Sequence, residues 1–472
     1  MFYEIKQYTK KTFPSFFIWA RDIKDQMKTE LKTIRQVGFL RILQQFIPSN
    51  KSWVSQLPIQ SIPKLYIKLR SLESLCQKYS FKEGGHTIYL PLSSIDDLSG
   101  LKDIFPEGVG IKIVKRKGSV DSPYHSADKT CNAHKLFSPS HRDLLLVHNI
   151  FYSFGMGPRL YDLIELEFSN GDLHMAYIME HIDGKEPQRQ ACENFIDKIK
   201  SLENKKLVKL VNWNGYEDKD FICPACSGNL LLEKHSKKLK YVDLQNFALG
   251  DYYTYLKTTV LKASSSSHFG DESYLMGGKY LYQAVPGLKI PAKRFPADRY
   301  KVWKKMLLKN NLTINDKIII DIGCNLGLMS AQYLKDNAAW VHGFDIPKVI
   351  EHTKKVLLSL GCTKFSLTGA KLSQDTNIFR SLPKNLKFPV RPVVISYLAI
   401  RGHLGWIKSL ANIPWDFMLY EGHQEEDEIQ SRAHIGELNK LKRCHIIEEN
   451  WISDANSSPR YIAIIKSSLK SC

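Results

Sequence analysis

The sequence predicts an α/β protein whose C-terminal part is a doubly wound, mostly parallel sheet. From about Tyr274 onward, apolar strand-like runs alternate with helix-like runs, as in parallel sheets that are covered on both faces. One apolar run, at residues 317–327 (KIIIDIGCNLG), passes directly into a glycine-rich turn, which is typical of a buried parallel strand followed by a helix. A length of 472 residues exceeds what one hydrophobic core usually organises, so we expect further domains before this sheet.

The N-terminal segment, residues 1–80, is predicted to be helical and basic. Apolar residues between Phe13 and Ile47 recur at three- and four-residue steps, and lysines and arginines lie between them. Such helices either pack on the next domain or lie on an anionic membrane surface, and the sequence leaves both alternatives open.

The middle segment, residues 81–262, is predicted to be an α+β domain. Gly108–Val114 alternates like a strand, and Leu160–Phe168 and Leu173–Glu180 read as a strand pair around a Ser-Asn-Gly-Asp turn. A helix is expected at Leu144–Phe154. Further strands are expected at His86–Leu92 and Lys240–Leu244. The run Ala263–Ser267 (ASSSS) is expected to be a linker, and the third domain is predicted to cover residues 274–472.

Charge and composition narrow the partners and the compartment. The formal net charge is +19, and a basic surface attracts polyanions such as nucleic acid, anionic lipid or phosphorylated glycan. No apolar run has the length of a transmembrane helix. Because no export signal is visible and the nine cysteines have no framework spacing, we expect a cytoplasmic protein. Peripheral association with the inner face of an anionic membrane is a second location compatible with the basic N-terminus.

Two acidic residues stand at the ends of neighbouring strands in the C-terminal domain. Asp321 ends the strand before the turn that contains Gly323 and Gly327, and Asp345 ends the next strand, Trp340–Phe344. The glycines let the chain turn tightly and let a ligand approach the backbone. Such an acid after the second strand can accept both hydroxyls of a ribose.

This arrangement resembles the first motif of class I S-adenosylmethionine-dependent methyltransferases, a hydrophobic strand followed by D-x-G-C-N-x-G. A nucleotide-dependent dehydrogenase is the alternative, but its glycine fingerprint is G-x-G-x-x-G. The resemblance implies a Rossmann-like, doubly wound, seven-stranded sheet and S-adenosylmethionine as cofactor. It also implies cofactor contacts from Asp321, Gly323, Cys324, Asn325, Gly327, Asp345 and Arg299. The segment 280–299 resembles a lead-in that closes over the cofactor with a Tyr/Gln pair and an arginine.

Methyl transfer to a hydroxyl needs a base, whereas transfer to a phosphate or carboxylate oxygen does not. The candidate catalytic residues lie beyond the fourth and fifth strands and are His403, Glu421 and His423.

The middle domain resembles lipopolysaccharide-type and small-molecule kinases. Lys112 lies in an alternating strand, and Glu180 lies in the segment MAYIMEHIDG (175–184), which resembles a strand and hinge. Asn229 and Asp243 match the metal-binding positions. These four residues are the predicted ATP-binding set, with Asn229 and Asp243 as Mg²⁺ ligands. The catalytic aspartate is replaced by Pro224, and no glutamate occurs between residues 107 and 165 to pair with the lysine. The prediction that this domain binds ATP and Mg²⁺ therefore depends on the resemblance alone.

Cys223 and Cys226 have the spacing of half a zinc site, and His235 or Cys192 would complete one. Without a second C-x-x-C, an ordinary loop with thiols is the alternative.

The two resemblances together imply a methyltransferase joined to a kinase-like domain, which modifies a glycan or a phosphorylated glycan in surface polysaccharide biosynthesis. An RNA methyltransferase with a basic binding platform is one alternative. A methyltransferase whose kinase-like domain is a non-catalytic scaffold is the other.

Overall fold

The structure is a computed structural model. It describes residues 57, 62–83, 87–98, 101, 104–119, 140–185, 187–210, 230–244, 247–265, 275–276, 280–387, 391–423, 426–453 and 459–468. The helices predicted between Phe13 and Ile47 lie outside the described residues, and so do Asn229, Cys223 and Cys226. Within the segment predicted to be helical, residues 1–80, the helical prediction is wrong for Lys64–Ile67, which form a strand that pairs with residues 165–168.

The middle domain is built on a mixed sheet of six described strands. Their order is β1-β5-β6-β4-β3-β2, with β1 parallel to β5 and the other neighbours antiparallel. The strands are β1 (Lys64–Ile67), β2 (Lys82–Glu83), β3 (Thr87–Pro91), β4 (Val109–Lys117), β5 (Leu160–Phe168) and β6 (Leu173–Glu180). The β5 and β6 bounds agree with the predicted strand pair. Helix α1 is Leu72–Lys78, and helix α2, His141–Ser153, connects β4 to β5 and packs against β5.

Smaller elements follow this sheet in the middle domain. They are β7 (Gly184–Lys185), α3 (Arg189–Asn204), β8 (Val208–Leu210), β9 (Leu230–Glu233), β10 (Leu239–Tyr241), β11 (Phe247–Leu249) and α4 (Tyr252–Ser265). The linker prediction is wrong for Ala263, Ser264 and Ser265, because they form the last turn of α4, where Ala263 and Ser264 are buried. The strand predicted at Lys240–Leu244 is shorter than expected and ends at Tyr241.

The C-terminal domain contains a sheet of seven described strands in the order β17-β16-β15-β18-β19-β21-β20. All neighbours are parallel except β21, which is antiparallel to both β19 and β20. The doubly wound α/β prediction is therefore confirmed. The strands are β15 (Ile318–Ile322), β16 (Trp340–Asp345), β17 (Phe365–Gly369), β18 (Val393–Leu398), β19 (Trp415–Glu421), β20 (Cys444–Ile452) and β21 (Arg460–Ser467). A smaller sheet of β12 (Leu275–Met276), β13 (Tyr280–Gln283) and β14 (Ala292–Arg294) precedes them.

Helices cover both faces of the large sheet. Side chains alternate along each strand, so Ile319 belongs to one buried cluster while Ile318 and Ile320 belong to the other. The first cluster includes side chains of α5–α7, and the second includes side chains of α8, α9 and α11. The helices are α5 (Pro296–Lys309), α6 (Leu328–Lys335), α7 (Pro347–Ser359), α8 (Ile378–Ser381), α9 (Lys384–Lys387), α10 (Arg401–Leu404) and α11 (Glu428–Leu441).

The middle and C-terminal domains are joined by buried polar contacts. Asn149 in α2 donates a hydrogen bond to the Leu358 carbonyl of α7 at 2.9 Å. Lys364, just before β17, forms a 2.8 Å ion pair with Asp162 of β5, and both side chains are largely buried. Because a buried charge needs a partner, this pair holds β5 of the first sheet against the start of β17. In the part of the chain that the structure describes, no helix combines the length and apolar character needed to cross a membrane.

Candidate active site

The turn after β15 is shaped by three residues with left-handed backbone conformation. Gly323, Asn325 and Gly327 have φ angles of 71°, 52° and 76°, a region that glycine and asparagine adopt most readily. A Cβ on Gly323 would lie 2.2 Å from Cδ1 of Ile400, so a side chain there would displace Ile400. Gly327 is the N-cap of α6. The turn therefore lies at the carboxyl edge of the sheet, where open α/β sheets bind ligands.

Asp321 is buried at the start of this turn. One carboxylate oxygen accepts a hydrogen bond from the Ser330 hydroxyl at 2.5 Å, and the other accepts from the Ser396 hydroxyl at 2.7 Å. Burial raises the pKa of the Asp321 carboxyl to about 6, and the two hydrogen bonds oppose that rise. The residue is held rigidly and lines the cavity described below.

Asp345 lies on the other side of the turn, at the end of β16. One of its carboxylate oxygens accepts from the Asn325 amide at 2.8 Å, and the other accepts from the Ile346 amide at 2.8 Å. The charge of Asp345 also contributes to the raised pKa of Asp321. The two predicted carboxylates therefore flank the same turn, and Asp345 helps to hold its shape.

A cavity of about 210 Å³ opens beside the turn. The predicted residues on its wall are Arg299, Asp321, Gly323, Cys324, Asn325, His403 and His423. Asp345, Gly327 and Glu421 are not on this wall. The predicted lead-in segment, residues 280–299, supplies Tyr282, Gln283 and Arg294 in addition to Arg299. The Arg294 guanidinium lies over the Tyr282 ring, 5.0 Å from its centroid.

Glu421 is fully buried between two arginines behind the cavity. Its carboxylate forms ion pairs with Arg299 from α5 and with Arg460 at the start of β21, the latter at 3.1 Å. A carboxylate neutralised by two guanidiniums is a poor proton acceptor, so this environment contradicts the predicted role of Glu421 as a base. The predicted role of Arg299 needs a related correction, because part of its guanidinium is bound to Glu421. The sequence did not indicate Arg460 as a site residue, because it lies 39 residues after its partner Glu421 and no local pattern links the two.

His403 and His423 lie next to each other on the cavity wall. His403 lies in α10 after β18, and His423 follows β19; their ring centroids are 5.3 Å apart with the planes nearly perpendicular. Both line the cavity wall. Imidazoles on the wall of a cavity can accept a proton from a bound molecule or donate one to it, so these two residues stay candidates for acid–base chemistry.

In the middle domain the structure brings Lys112 and Asp243 into contact, although 131 residues separate them. The Lys112 ammonium lies 3.0 Å from the Asp243 carboxylate and also donates to the Val242 carbonyl. His148 of α2 is fully buried nearby, and burial together with the Lys112 charge lowers the pKa of His148 to about 3. Glu180, by contrast, accepts a hydrogen bond from the Arg159 amide at 3.0 Å. Of the predicted ATP-binding residues that the structure describes, Lys112 and Asp243 are in contact with each other, whereas Glu180 contacts the backbone of Arg159.

The predicted hinge is contacted by an aromatic side chain. The Tyr89 hydroxyl lies 2.6 Å from Nδ1 of His181, and the two rings stack with centroids 5.5 Å apart. The Tyr89 ring lies directly over Gly110, because a Cβ on Gly110 would lie 1.9 Å from the tyrosine oxygen. Tyr89 therefore fills the space between strand β4 and the segment after β6.

The two cysteines of the predicted zinc site, Cys223 and Cys226, lie outside the described residues, so the structure does not test that prediction. Among the residues that the structure describes, no three His, Cys, Asp or Glu side chains are grouped as metal ligands. Cys192 is buried in α3, where its thiol donates to the Gln188 carbonyl.

Comparison with known proteins finds similar structures but no family. No protein-family model matches the chain, and no curated protein does. One similar solved structure is magnesium protoporphyrin IX methyltransferase from Synechocystis PCC 6803 with bound SAM (16% identity, 36% of this chain, 79% of the other, TM-score 0.26). A second is the N-terminal domain of EvdMO1 in the presence of SAH and D-fucose (11%, 46%, 97%, 0.30). A third is Thermoplasma acidophilum 1320 (13%, 36%, 85%, 0.25). Since these values are low, we base the assignment of a function on the geometry of the site.

Proposed function

We propose that the C-terminal domain is an S-adenosylmethionine-dependent methyltransferase. The observation that carries this proposal is the glycine-lined turn after β15, flanked by Asp321 and Asp345 and opening into a cavity at the carboxyl edge of the sheet. Open α/β sheets bind nucleotide-type ligands at this edge, and carboxylates suit the ammonium and the ribose hydroxyls of such a cofactor. Gly323, Cys324, Asn325 and Gly327 would contribute the backbone of the binding turn.

The donor and acceptor groups fit the cofactor. Asp345 is the residue at the end of β16 proposed to accept the ribose hydroxyls, and its carboxylate also accepts from two backbone amides. Arg294 and Arg299 are candidates for binding the cofactor carboxylate, and Arg294 lies in the segment that the resemblance identifies as a cover over the cofactor.

When bound, the cofactor would supply an electrophilic methyl group on a sulfonium. The leaving group is then a neutral thioether, which needs no protonation. The protein's task is then to align the acceptor oxygen, and positioning of this kind is worth roughly 7–11 kcal/mol. The cavity wall carries Arg294, Arg299 and Arg460, of which Arg299 and Arg460 share the carboxylate of Glu421, and the remaining positive charge favours an anionic acceptor. An anionic oxygen needs no base. If the acceptor is a hydroxyl, His403 and His423 are the residues that would take its proton.

We favour a phosphorylated glycan as acceptor, in surface polysaccharide biosynthesis near an anionic membrane, over RNA. The support is the combination of a small arginine-lined cavity and a chain with a net charge of +19. Binding assays with RNA and with anionic vesicles at increasing salt would compare the two, because each phosphate contact steepens the salt dependence. Methylation of host extract with a methyl-labelled cofactor would identify the acceptor by mass spectrometry.

Calorimetric titration with S-adenosylmethionine tests the cofactor assignment. We expect Asp345→Ala to weaken binding roughly 10- to 100-fold, since hydrogen bonds to a charged group are worth about 1.5–3 kcal/mol. Asp375→Ala, an exposed carboxylate far along the chain, is the matched control and should leave affinity unchanged. Unchanged affinity in the Asp345 variant would contradict the ribose assignment. Circular dichroism would verify that the variant is folded.

For the middle domain we propose a kinase-like scaffold without phosphoryl transfer as the second candidate function. The supporting observation is that the Tyr89 ring lies over Gly110 and stacks on His181 of the predicted hinge, so it occupies space beside that segment. Active phosphoryl transfer with ATP and Mg²⁺ is the competing hypothesis.

Incubation with radiolabelled ATP and Mg²⁺ distinguishes the two. The scaffold hypothesis predicts no ATP hydrolysis or phosphate transfer above the level of Asp243→Ala. It also predicts that Tyr89→Ala gains measurable ATP binding, because the ring leaves the space over Gly110. Phosphate transfer by the wild-type chain that Asp243→Ala abolishes would overturn the scaffold hypothesis.

A further inference from the structure

A second, larger cavity lies where the middle and C-terminal domains meet. Its volume is about 600 Å³, within the range of small-molecule sites. The walls come from the end of α2, the segment after α3, helix α4, and helix α7 of the C-terminal domain. We call it the basic cavity, and it shares no wall residue with the cavity beside the glycine turn.

Positive charge is concentrated on three sides of the basic cavity. Lys205 follows α3, Lys262 lies on α4, and Lys355 lies on α7 together with His352. Glu351, the neighbour of His352, carries the opposing charge on α7. Asp251, before α4, is a second nearby carboxylate and accepts a hydrogen bond from the Thr254 amide at 3.1 Å. The convergence of three ammonium groups from three separate segments favours an anion between them.

Hydroxyl groups provide uncharged donors in the same cavity. Thr254 and Thr258 are one turn apart on α4, so their side chains lie on one face of that helix. Lysine ammonium groups and threonine hydroxyls can both donate hydrogen bonds to phosphate oxygens.

The remaining wall is aromatic. Tyr255 is buried and its hydroxyl lies 3.2 Å from the Ser153 hydroxyl, while Phe154 is 44% exposed. The Lys205 ammonium lies over the Phe154 ring at 5.7 Å. An aromatic surface beside ammonium groups suits a ligand with one uncharged ring and one phosphate group, because ring stacking and ion pairing then act together.

We infer that the basic cavity binds a phosphate ester that carries a sugar or nucleoside. The site is independent of the proposed methyl transfer, since it is built from other residues. The environment of His352 agrees with this assignment: burial, followed by the charge of Lys355, lowers the pKa of His352, and a bound anion would relieve that charge.

Calorimetric titration of the full-length protein with uridine diphosphate, glucose 6-phosphate and inorganic pyrophosphate tests the inference. We expect saturable binding of at least one of the two esters and affinity that falls with salt. Lys262→Gln combined with Lys355→Gln should weaken it about tenfold or more, because two ammonium groups are removed. Lys257→Gln is the matched control on α4, since Lys257 is exposed and not on the cavity wall.

Comparison of the two esters shows whether the uncharged part of the ligand is a nucleoside, as in uridine diphosphate, or a sugar, as in glucose 6-phosphate. The inference is overturned if neither ester binds, if pyrophosphate binds as tightly as both, or if Lys257→Gln weakens binding as much as the double variant. Affinity for S-adenosylmethionine should be the same in the wild type and the double variant. Loss of that affinity would instead indicate a folding defect, which the retained thermal transition of each variant would check.

Discussion

Replacing Asp321 by asparagine is expected to stabilise the protein while it impairs the proposed cofactor site. The Asp321 carboxyl is buried, and burial raises its pKa from 3.8 to about 6. The folded state therefore holds the proton more tightly than the unfolded state does. Between about pH 4 and pH 6 the unfolded chain loses this proton first, so the carboxyl disfavours folding increasingly as the pH rises. Below pH 4 both states are protonated and the effect vanishes.

The size of the effect follows from the two pKa values. A rise of about 2 in pKa corresponds to about 3 kcal/mol of lost stability above pH 6, and to about 1.5 kcal/mol near pH 5. Asparagine removes this cost. Its amide can keep both hydrogen bonds, because Ser330 can donate to the amide oxygen and the Ser396 hydroxyl can rotate to accept. Ser396 also contacts the Tyr333 hydroxyl at 3.0 Å, which can serve as its donor or acceptor.

Urea unfolding at about pH 5 and pH 8, followed by tryptophan fluorescence, measures the effect. Trp303, Trp340 and Trp415 are buried in the C-terminal domain and report on its unfolding. We expect Asp321→Asn to gain stability at both pH values, with about twice the gain at pH 8. The control Asp375→Asn removes an exposed carboxylate, whose ion pair is worth about 0–1 kcal/mol. A variant that is less stable than the wild type at pH 8, or a gain independent of pH, would refute this reasoning.

Three further predictions concern buried charge and the glycine turn. Glu421→Gln should cost roughly 3–5 kcal/mol of stability in urea titrations, because it leaves two buried guanidiniums without a counter-charge. Stability within about 1 kcal/mol of the wild type would contradict the structural role of Glu421. Lys364→Met should be destabilising by a similar amount, since Asp162 would stay buried alone, and hydrogen exchange of β5 and β17 should report the loosened junction. Gly323→Ala should abolish cofactor binding in calorimetry, whereas Gly436→Ala, a helical site with open space around the added methyl, should not change it. Retained binding in Gly323→Ala would mean that the turn tolerates a side chain.

Local patterns predicted the elements whose structure depends on neighbouring residues. The strand pair β5–β6 agrees with its predicted bounds because its turn is stabilised locally: Asn170 donates to Asp172, and the Asp172 amide donates back to Asn170. Strand β15 and its turn were predicted for the same reason, since an apolar run followed by glycines specifies both the buried strand and the left-handed backbone.

Contacts between distant residues were not predictable from the sequence. Glu421 follows an apolar strand and precedes a histidine, so it has the sequence context of an active-site acid. Its ion pairs with Arg299 and Arg460, 122 and 39 residues away, arise only when β19, α5 and β21 pack together. The contact of Tyr89 with His181 spans 92 residues and is set by strand pairing. Recognition of such contacts requires the sheet order, which the local pattern does not contain.

The balance of charge in the active site has a consequence for the reaction proposed above. Three guanidiniums border the cavity, and two carboxylates oppose them: Glu421, which is buried and paired with two of the arginines, and Asp321 on the cavity wall. Transfer of a methyl group from a sulfonium to an anionic oxygen removes one positive and one negative charge. A site that excludes water therefore favours this transfer, because the reactants lose hydration while the products need little. For a neutral hydroxyl the same exclusion of water brings no such gain, and a proton must also leave. Arginines that attract an anion into a small cavity favour its binding, although they stabilise the charge of the reactant and so do not by themselves raise the rate. For these reasons we propose a phosphate or carboxylate oxygen, rather than a hydroxyl, as the acceptor.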